Sequence, residues 1–83
     1  MQIGKVTHYY NKIGVAIIEL SKSLVLGDKI KISGHDKEFI QGVSSMQIEH
    51  QQVQKAKKGD SIGLQVDKPV KDGDIVYGLA KGT

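Results

Sequence analysis

The side chains that could carry out metal or nucleophilic chemistry are few in this chain and far apart. The histidines, His8, His35 and His50, form no His-x-x-x-His pair, and there is no cysteine. A metal site needs two or three such ligands brought together, so His8 is better interpreted as a strand residue and His35 as a turn residue. Ser44 and Ser45 lack the turn of a nucleophile elbow. We therefore predict a protein that is not an enzyme and that holds no metal.

Two fragments have the spelling of GTP-binding motifs. Asp60-Ser-Ile-Gly63 matches Asp-x-x-Gly, and Asn11-Lys12 begins like a guanine-specificity motif, but Gly14 occupies the position of its aspartate. The Gly-x-x-x-x-Gly-Lys-Ser/Thr loop that cradles phosphates is absent from the sequence. Both fragments are therefore interpreted as turns, and we expect neither a nucleotide nor any other cofactor.

The basic charge is carried by lysine alone. All 12 basic residues are lysine, against 9 acidic residues, which gives a formal net charge of +3. Lysine can neutralise a phosphate as a point charge, but it lacks the planar fork with which arginine reads guanine edges. We therefore expect no sequence-specific reading of bases. Weak contact with RNA stays open, although the same lysines can serve to keep strand edges soluble, and for most of them we prefer that interpretation.

The elements that would position these residues are strands separated by a repeated turn. The dipeptide Gly-Asp occurs three times, at Gly27-Asp28, Gly59-Asp60 and Gly73-Asp74, and each time an alternating apolar segment follows. Glycine supplies the positive φ of a tight turn, and aspartate can accept a hydrogen bond from the backbone just ahead of it. In each following strand the alternation places on one side Ile30 and Ile32, then Ile62, Leu64 and Val66, then Ile75, Tyr77 and Leu79.

The other strands are predicted from β-branched and aromatic content. Residues 3–10 and 15–20 are expected to form strands joined by a turn at 11–14, residues 29–33 alternate cleanly, and 39–45 and 46–51 fit one bent strand or two. Residues 47–58 also have the composition of a short helix, but their apolar stripe is thin, so we prefer a strand followed by a loop. Tyr9 and Tyr10 must point to opposite faces, and Phe39 and Tyr77 are expected in the core.

The length allows one small domain, which we predict to span residues 1–83. The lack of cysteine suits a reducing compartment. The sequence starts without a basic, apolar leader and contains no apolar run long enough for a bilayer. We therefore expect a soluble, cytoplasmic protein that has no contact with a membrane.

Segments around the Gly-Asp turns match a family pattern. Ser45-Met-Gln-Ile-Glu-His50 is followed, after the five residues 51–55, by Ala56-Lys-Lys-Gly-Asp-Ser-Ile-Gly63, and Leu24-Val-Leu-Gly-Asp-Lys-Ile-Lys-Ile32 precedes both. Together with residues 70–76 they resemble the second, β-barrel domain of translation elongation factor Tu and its counterparts. There the central segment reads approximately Ser-Val-Glu-Met-His-His, a short variable run, then Ala-x-x-Gly-Asp-Asn-Val-Gly, and it aligns with Ser45 to Leu64 without a gap. The resemblance covers nearly the whole chain and implies an all-β fold, a small closed antiparallel β-barrel of about six strands.

The same resemblance implies a function and a set of binding residues. In the elongation factors this barrel cradles the aminoacyl-adenosine end of tRNA beside a GTPase domain, which this chain lacks. The family's acidic position at the terminal adenosine falls on Gln47, a neutral amide, and its basic or histidine position falls on His50. Lys55, Lys57 and Lys58 would be the phosphate contacts. The implied function is a non-catalytic translation-factor-like module that binds tRNA-like RNA, the ribosome or another component of the translation apparatus.

A second hypothesis is a protein-interaction module. Barrels of this type also occur as accessory domains, including at the end of collagenase-like peptidases. A single barrel would then dock onto a separate protein that supplies the catalytic domain. Salt-sensitive RNA affinity would favour the first hypothesis, whereas a stable complex with a protein would favour the second.

Overall fold

The structure, a computed structural model, describes residues 1–34 and 37–79, and the turn predicted at His35 lies outside these ranges. Within them the chain forms ten strands and no helix, so none of the described residues belongs to a helix that could cross a membrane. The strands are β1 (Gln2–Tyr10), β2 (Val15–Leu20), β3 (Leu24–Val25), β4 (Lys29–Ser33), β5 (Glu38–Gly42), β6 (Met46–Ile48), β7 (Gln51–Val53), β8 (Lys55–Ala56), β9 (Ser61–Gln65) and β10 (Ile75–Gly78).

Eight of these strands form one antiparallel sheet that curls into a half-barrel. Their order is β5-β4-β10-β1-β2-β9-β6-β7, and β3 pairs with β8 in a separate two-stranded ladder. The predicted all-β, antiparallel architecture is confirmed, but the prediction of a closed barrel of about six strands is wrong. The described end strands, β5 and β7, do not pair with each other, and the next three strands after β5 are only two or three residues long. The helix considered for residues 47–58 does not form.

A side chain links the open end of the sheet to a distant strand. Gln41 lies on the end strand β5 and is only 5% exposed. Its amide Nε2 donates to the backbone oxygen of Gln65 at 2.9 Å, and its Oε1 accepts from the backbone nitrogen of Asp67 at 2.8 Å. Both polar ends of the buried amide are thus satisfied. Gln41 therefore connects β5 to the end of β9, two strands that are not paired in the sheet.

The three Gly-Asp turns share one geometry, as the sequence predicts. Gly27, Gly59 and Gly73 have φ values of 93°, 93° and 94°. In each turn the aspartate side chain accepts from the backbone N–H three residues earlier, at 3.1, 2.9 and 3.0 Å. The aspartate N–H returns a bond to the carbonyl of that same residue. A positive φ at the third position is the requirement of a type II turn, which explains why glycine occurs there each time.

Alternation places the core on the inner side of the half-barrel. Val6, Ile18, Ile30, Ile62, Leu64 and Val76 are fully buried. Phe39 is 9% exposed, which confirms its predicted core position, whereas the prediction for Tyr77 is wrong. On β10 the buried residue is Val76, and Ile75 and Tyr77 are half-buried on the other side, where the Lys31 ammonium lies 5.6 Å from the Tyr77 ring. The sequence of β10 does not show which of its two faces is buried, because consecutive residues in it are apolar.

Candidate functional site

Strand pairing brings five residues that are distant in sequence into one row on the outer face of the sheet. His8 on β1 pairs with Ile17 on β2, Ile17 with Gly63 on β9, Gly63 with Gln47 on β6, and Gln47 with Gln52 on β7. Since side chains alternate along a strand, this row faces away from the core. The row defines the face on which the candidate site lies.

Around the middle of that row lies a groove of about 500 Å³, which we call the outer groove. It is lined by Tyr10, Ile13, Val15 and Ile17 of the first hairpin, by Ser61 and Gly63 of β9, and by Gln47, Glu49 and His50 of the β6–β7 hairpin. Its volume lies in the range of small-ligand sites, roughly 300–1,000 Å³. Two of the predicted binding residues, Gln47 and His50, therefore meet here.

The first hairpin lines the outer groove with apolar side chains. Ile13 is 64% exposed and Tyr10 is 49% exposed, while Val15 and Ile17 are half-buried. The Tyr10 ring lies 4.3 Å from the His8 ring, measured between centroids. The outer face of a half-solvated antiparallel sheet is normally polar, and clustered exposed apolar side chains mark interaction surfaces. On β2 both faces are apolar, since Ala16 and Ile18 are buried in the core.

Gly63 leaves the middle of the outer groove without a side chain. A Cβ built there would lie 3.5 Å from Val15 Cγ1 and 3.8 Å from Ile17 Cδ1, which are ordinary van der Waals contacts. Gly63 is also not among the glycines with positive φ. Neither packing nor backbone conformation therefore requires glycine at this position, whereas glycine inside a strand weakens it. The consequence of Gly63 is an open space between Ile17 and Gln47.

The β6–β7 hairpin presents two strained residues to the same groove. Ile48 pairs with Gln51, so Glu49 and His50 form a two-residue turn, and their φ values are 51° and 67°. Such turns favour Asn-Gly or Gly-Gly, because a left-handed conformation costs an ordinary L residue about 1–2 kcal/mol. Strain of this kind clusters at binding sites. In this protein the two strained residues, Glu49 and His50, lie at the rim of the outer groove.

The charge of the outer groove differs from that of the whole chain. Glu49 is the one lining residue with a formal charge when histidine is counted as neutral, whereas the chain carries +3. Among the described residues Lys31 and Glu38 form an ion pair at 3.8 Å, whereas Glu49 forms none with them. The outer groove therefore offers one carboxylate beside an apolar surface.

The predicted lysines lie elsewhere. Lys55 and Lys57 line a separate cleft of about 470 Å³ together with Asp60 and Val25, which we call the lysine cleft. Lys58 is exposed in the turn between β8 and β9 and lines neither the outer groove nor the lysine cleft. The structure thus divides the predicted set into two places. No group of three metal-ligating side chains converges anywhere in the described ranges.

The sequence interpretation missed the apolar half of the outer groove. Ile13, Val15, Ile17 and Gly63 were not among its candidates. One signal for them is present in residues 15–20, Val-Ala-Ile-Ile-Glu-Leu, which are apolar at both phases of the alternation. A strand of that kind is covered on both faces or exposes an apolar face.

The chain is similar in sequence to proteins named protease or collagenase. The chain is 42% identical over 78 residues to an uncharacterised protease of Methanocaldococcus jannaschii. It is 37% identical over 81 residues to a collagenase of Porphyromonas gingivalis. These matches cover 93% and 95% of this chain but 19% and 22% of the relatives, so the chain spans about a fifth of their length. No protein-family model matches the chain.

Two solved structures share the fold. Both are of the C-terminal domain of a protein described as a U32 peptidase, from Geobacillus thermoleovorans. One has a TM-score of 0.88 at 18% identity and covers 93% of this chain and 98% of that domain. The other has a TM-score of 0.89 at 17% identity and covers 95% and 92%. At this identity the likeness shows the fold alone.

These findings overturn the resemblance to elongation factor Tu. The relatives are named protease and collagenase, and the matching structures are a peptidase domain. The Gly-Asp motifs that carried the resemblance are explained by turn geometry, since Gly27, Gly59 and Gly73 all need the same positive φ. The translation-factor and RNA-binding interpretations depended on that resemblance and are therefore wrong as well. The chain is similar in sequence to a segment of protease- and collagenase-named proteins, and it has the fold of a U32 peptidase C-terminal domain.

Proposed function

We propose that this chain is a non-catalytic accessory domain that docks onto the catalytic part of a U32-peptidase-like protein through the outer groove. The two kinds of comparison support the pairing with such a protein. In the sequence relatives the matching segment belongs to a polypeptide about five times as long, of which it makes up 19% or 22%. In the solved structures the same fold is one domain of a peptidase.

The observation that carries the choice of surface is the apolar lining of the outer groove. Tyr10 and Ile13 are exposed on a face that is hydrated in an isolated domain, and both can be buried without any change in the core. Gln47, Glu49 and His50 provide the polar rim on the other side. An apolar patch bordered by polar residues is common at interfaces between proteins.

Thiol labelling can test this docking, because the chain contains no cysteine of its own. A single cysteine is introduced as Gln47→Cys, at an exposed position in the groove. The labelling rate is compared between the free 83-residue chain and a chimera of the Methanocaldococcus protease whose matching segment is replaced by this chain. Mass spectrometry follows the peptide that carries the introduced cysteine. We expect labelling in the chimera to be about tenfold slower or more, because docking buries the groove.

Lys57→Cys is the matched control, since this exposed residue lies in the lysine cleft. Its labelling rate should be the same in the free chain and in the chimera. Equal protection at both positions would indicate general shielding by the larger protein. Unchanged labelling of Gln47→Cys in a folded chimera would show that the outer groove is not the docking surface.

A further inference from the structure

We infer that the outer groove recognises an extended polypeptide segment in which a large apolar side chain stands next to a lysine or arginine. The inference rests on the proposed function, because the segment would belong to the protein onto which the domain docks. It adds the chemistry of the bound segment, which the similarity to known proteins does not supply.

The apolar part of the inference comes from the space above Gly63. Val15 and Ile17 lie beside that space, and a Cβ at Gly63 would already be in contact with both. An incoming aromatic or branched aliphatic side chain would make those contacts instead and would also cover Tyr10. The His8 ring, 4.3 Å from the Tyr10 ring, supports Tyr10 from the side. Buried aromatic or aliphatic anchors of this kind carry most of the affinity of an interface.

The charged part comes from Glu49. It lines the outer groove and forms no ion pair with a described residue, so its carboxylate is available to a cation. The two-residue turn fixes the backbone of Glu49 and His50, so the backbone of this segment does not have to be ordered on binding. A lysine or arginine next to the apolar anchor would meet Glu49.

The polar residues of the outer groove suit a peptide backbone. Gln47 has an amide that both donates and accepts, and the Ser61 hydroxyl does the same. Gln47 and Ser61 are exposed in the groove; Gln47 pairs with Gly63 from β6, and Ser61 lies two residues before Gly63 on β9. Extended peptide offers alternating N–H and C=O groups at the same spacing as a strand.

Charge also argues against an anionic occupant. A phosphate or nucleic acid in the outer groove would face Glu49, whereas Lys55 and Lys57 line a different cavity. Like charges brought together oppose binding. The favoured occupant is therefore cationic at one end and apolar at the other.

The experiment measures binding of fluorescein-labelled peptides to the 83-residue chain by anisotropy. The probe is Gly-Ser-Phe-Lys-Ser-Gly, with matched probes in which Phe is replaced by Ser or Lys by Glu. Loss of the apolar anchor should weaken binding by about tenfold or more. Reversal of the peptide charge should weaken it by about threefold, because Glu49 is exposed and solvent screens the pair.

The Glu49→Lys variant should exchange the preference. It keeps the backbone strain of the turn, since lysine and glutamate are equally disfavoured in the left-handed region. It should bind the peptide with Glu better than the peptide with Lys, by about threefold. A preference that does not invert would overturn the assignment of Glu49.

Other outcomes separate this inference from the proposed function. If no peptide binds better than the Ser-for-Phe probe, while Gln47→Cys is still protected in the chimera, the inference fails and the docking proposal stands. If neither peptide binding nor protection is observed, both fail. Tighter binding of a labelled oligoribonucleotide than of the Phe-Lys peptide, in competition with it, would also overturn the inference.

Discussion

The outer groove and the lysine cleft both contain residues that the sequence pointed to, yet they differ in what the fold requires of them. At the lysine cleft, Gly59 has the positive φ of its turn, and Asp60 accepts from the Lys57 N–H at 2.9 Å. The same arrangement recurs at Gly27 and Gly73. Every unusual residue there is explained by the turn itself.

The outer groove has the opposite character. Gly63 has neither positive φ nor a steric conflict, Glu49 and His50 occupy a conformation that suits glycine, and Ile13 exposes its side chain to solvent. Each of these choices lowers stability or solubility in an isolated domain. Residues that the fold does not need are better indicators of binding than residues that the fold repeats.

The strongest test of this contrast is Gly63→Val. The valine methyl groups would occupy the space between Ile17 and Gln47 while the strand gains a residue of high β-propensity. Affinity for the Phe-Lys peptide should fall by about tenfold or more, since the apolar anchor is excluded. The free energy of unfolding in urea should stay the same or rise by about 0.5–1 kcal/mol, because a strand glycine is removed.

Gly63→Ala serves as a graded control for the same position. Its single methyl group fits in ordinary contact with Val15 and Ile17, so the loss of affinity should be smaller than with valine. Destabilisation by Gly63→Ala would mean that the fold does require this glycine. Gly63 would then be a structural residue, and the contrast between the outer groove and the lysine cleft would no longer hold.

Much of the fold follows from local sequence. β2 and β4 begin and end at the predicted residues, and the Gly-Asp turns have the predicted φ and aspartate bonds. Local sequence does not reveal the link between β5 and the end of β9, because it is made by Gln41, whose partners Gln65 and Asp67 are 24 and 26 residues away. A buried glutamine is recognisable only after the pairing is known.

The candidate site was predicted less well for the same physical reason. Gln47 and His50 are neighbours on one hairpin, so a short motif could indicate both. Ile17 and Gly63 join them only through the pairing of β2 with β9 and of β9 with β6. Gly63 also belonged to an apparent Asp-x-x-Gly motif. That its missing side chain leaves a space can be recognised only once Ile17 and Gln47 are known to lie beside it.

The β6–β7 turn allows a second test, in which stability and binding should change in opposite directions. Glu49→Asn with His50→Gly provides the residues that a type I′ turn prefers. Relief of the left-handed strain should raise the free energy of unfolding by about 1–2 kcal/mol. Affinity for the Phe-Lys peptide should fall by about threefold or more, because the carboxylate is removed. Urea denaturation and anisotropy measure the two effects.

Asp60→Ala is the matched change at the lysine cleft. It removes the bond to the Lys57 N–H and should lower the free energy of unfolding by about 1 kcal/mol, with no change in peptide affinity. A double variant of the β6–β7 turn that gains stability and keeps its full affinity would show that the strain at Glu49 and His50 does not serve this binding.

The smallest effect on binding is expected for Lys55→Gln, Lys57→Gln and Lys58→Gln made together. All three lysines are exposed and outside the outer groove, so unfolding free energy should change by no more than about 0.5 kcal/mol and peptide affinity should not change. The formal net charge, however, falls from +3 by 3 to 0, and a protein without net charge precipitates more readily. Less ammonium sulfate should therefore precipitate the triple variant. A loss of peptide affinity in the soluble triple variant would instead show that these lysines contribute to peptide recognition.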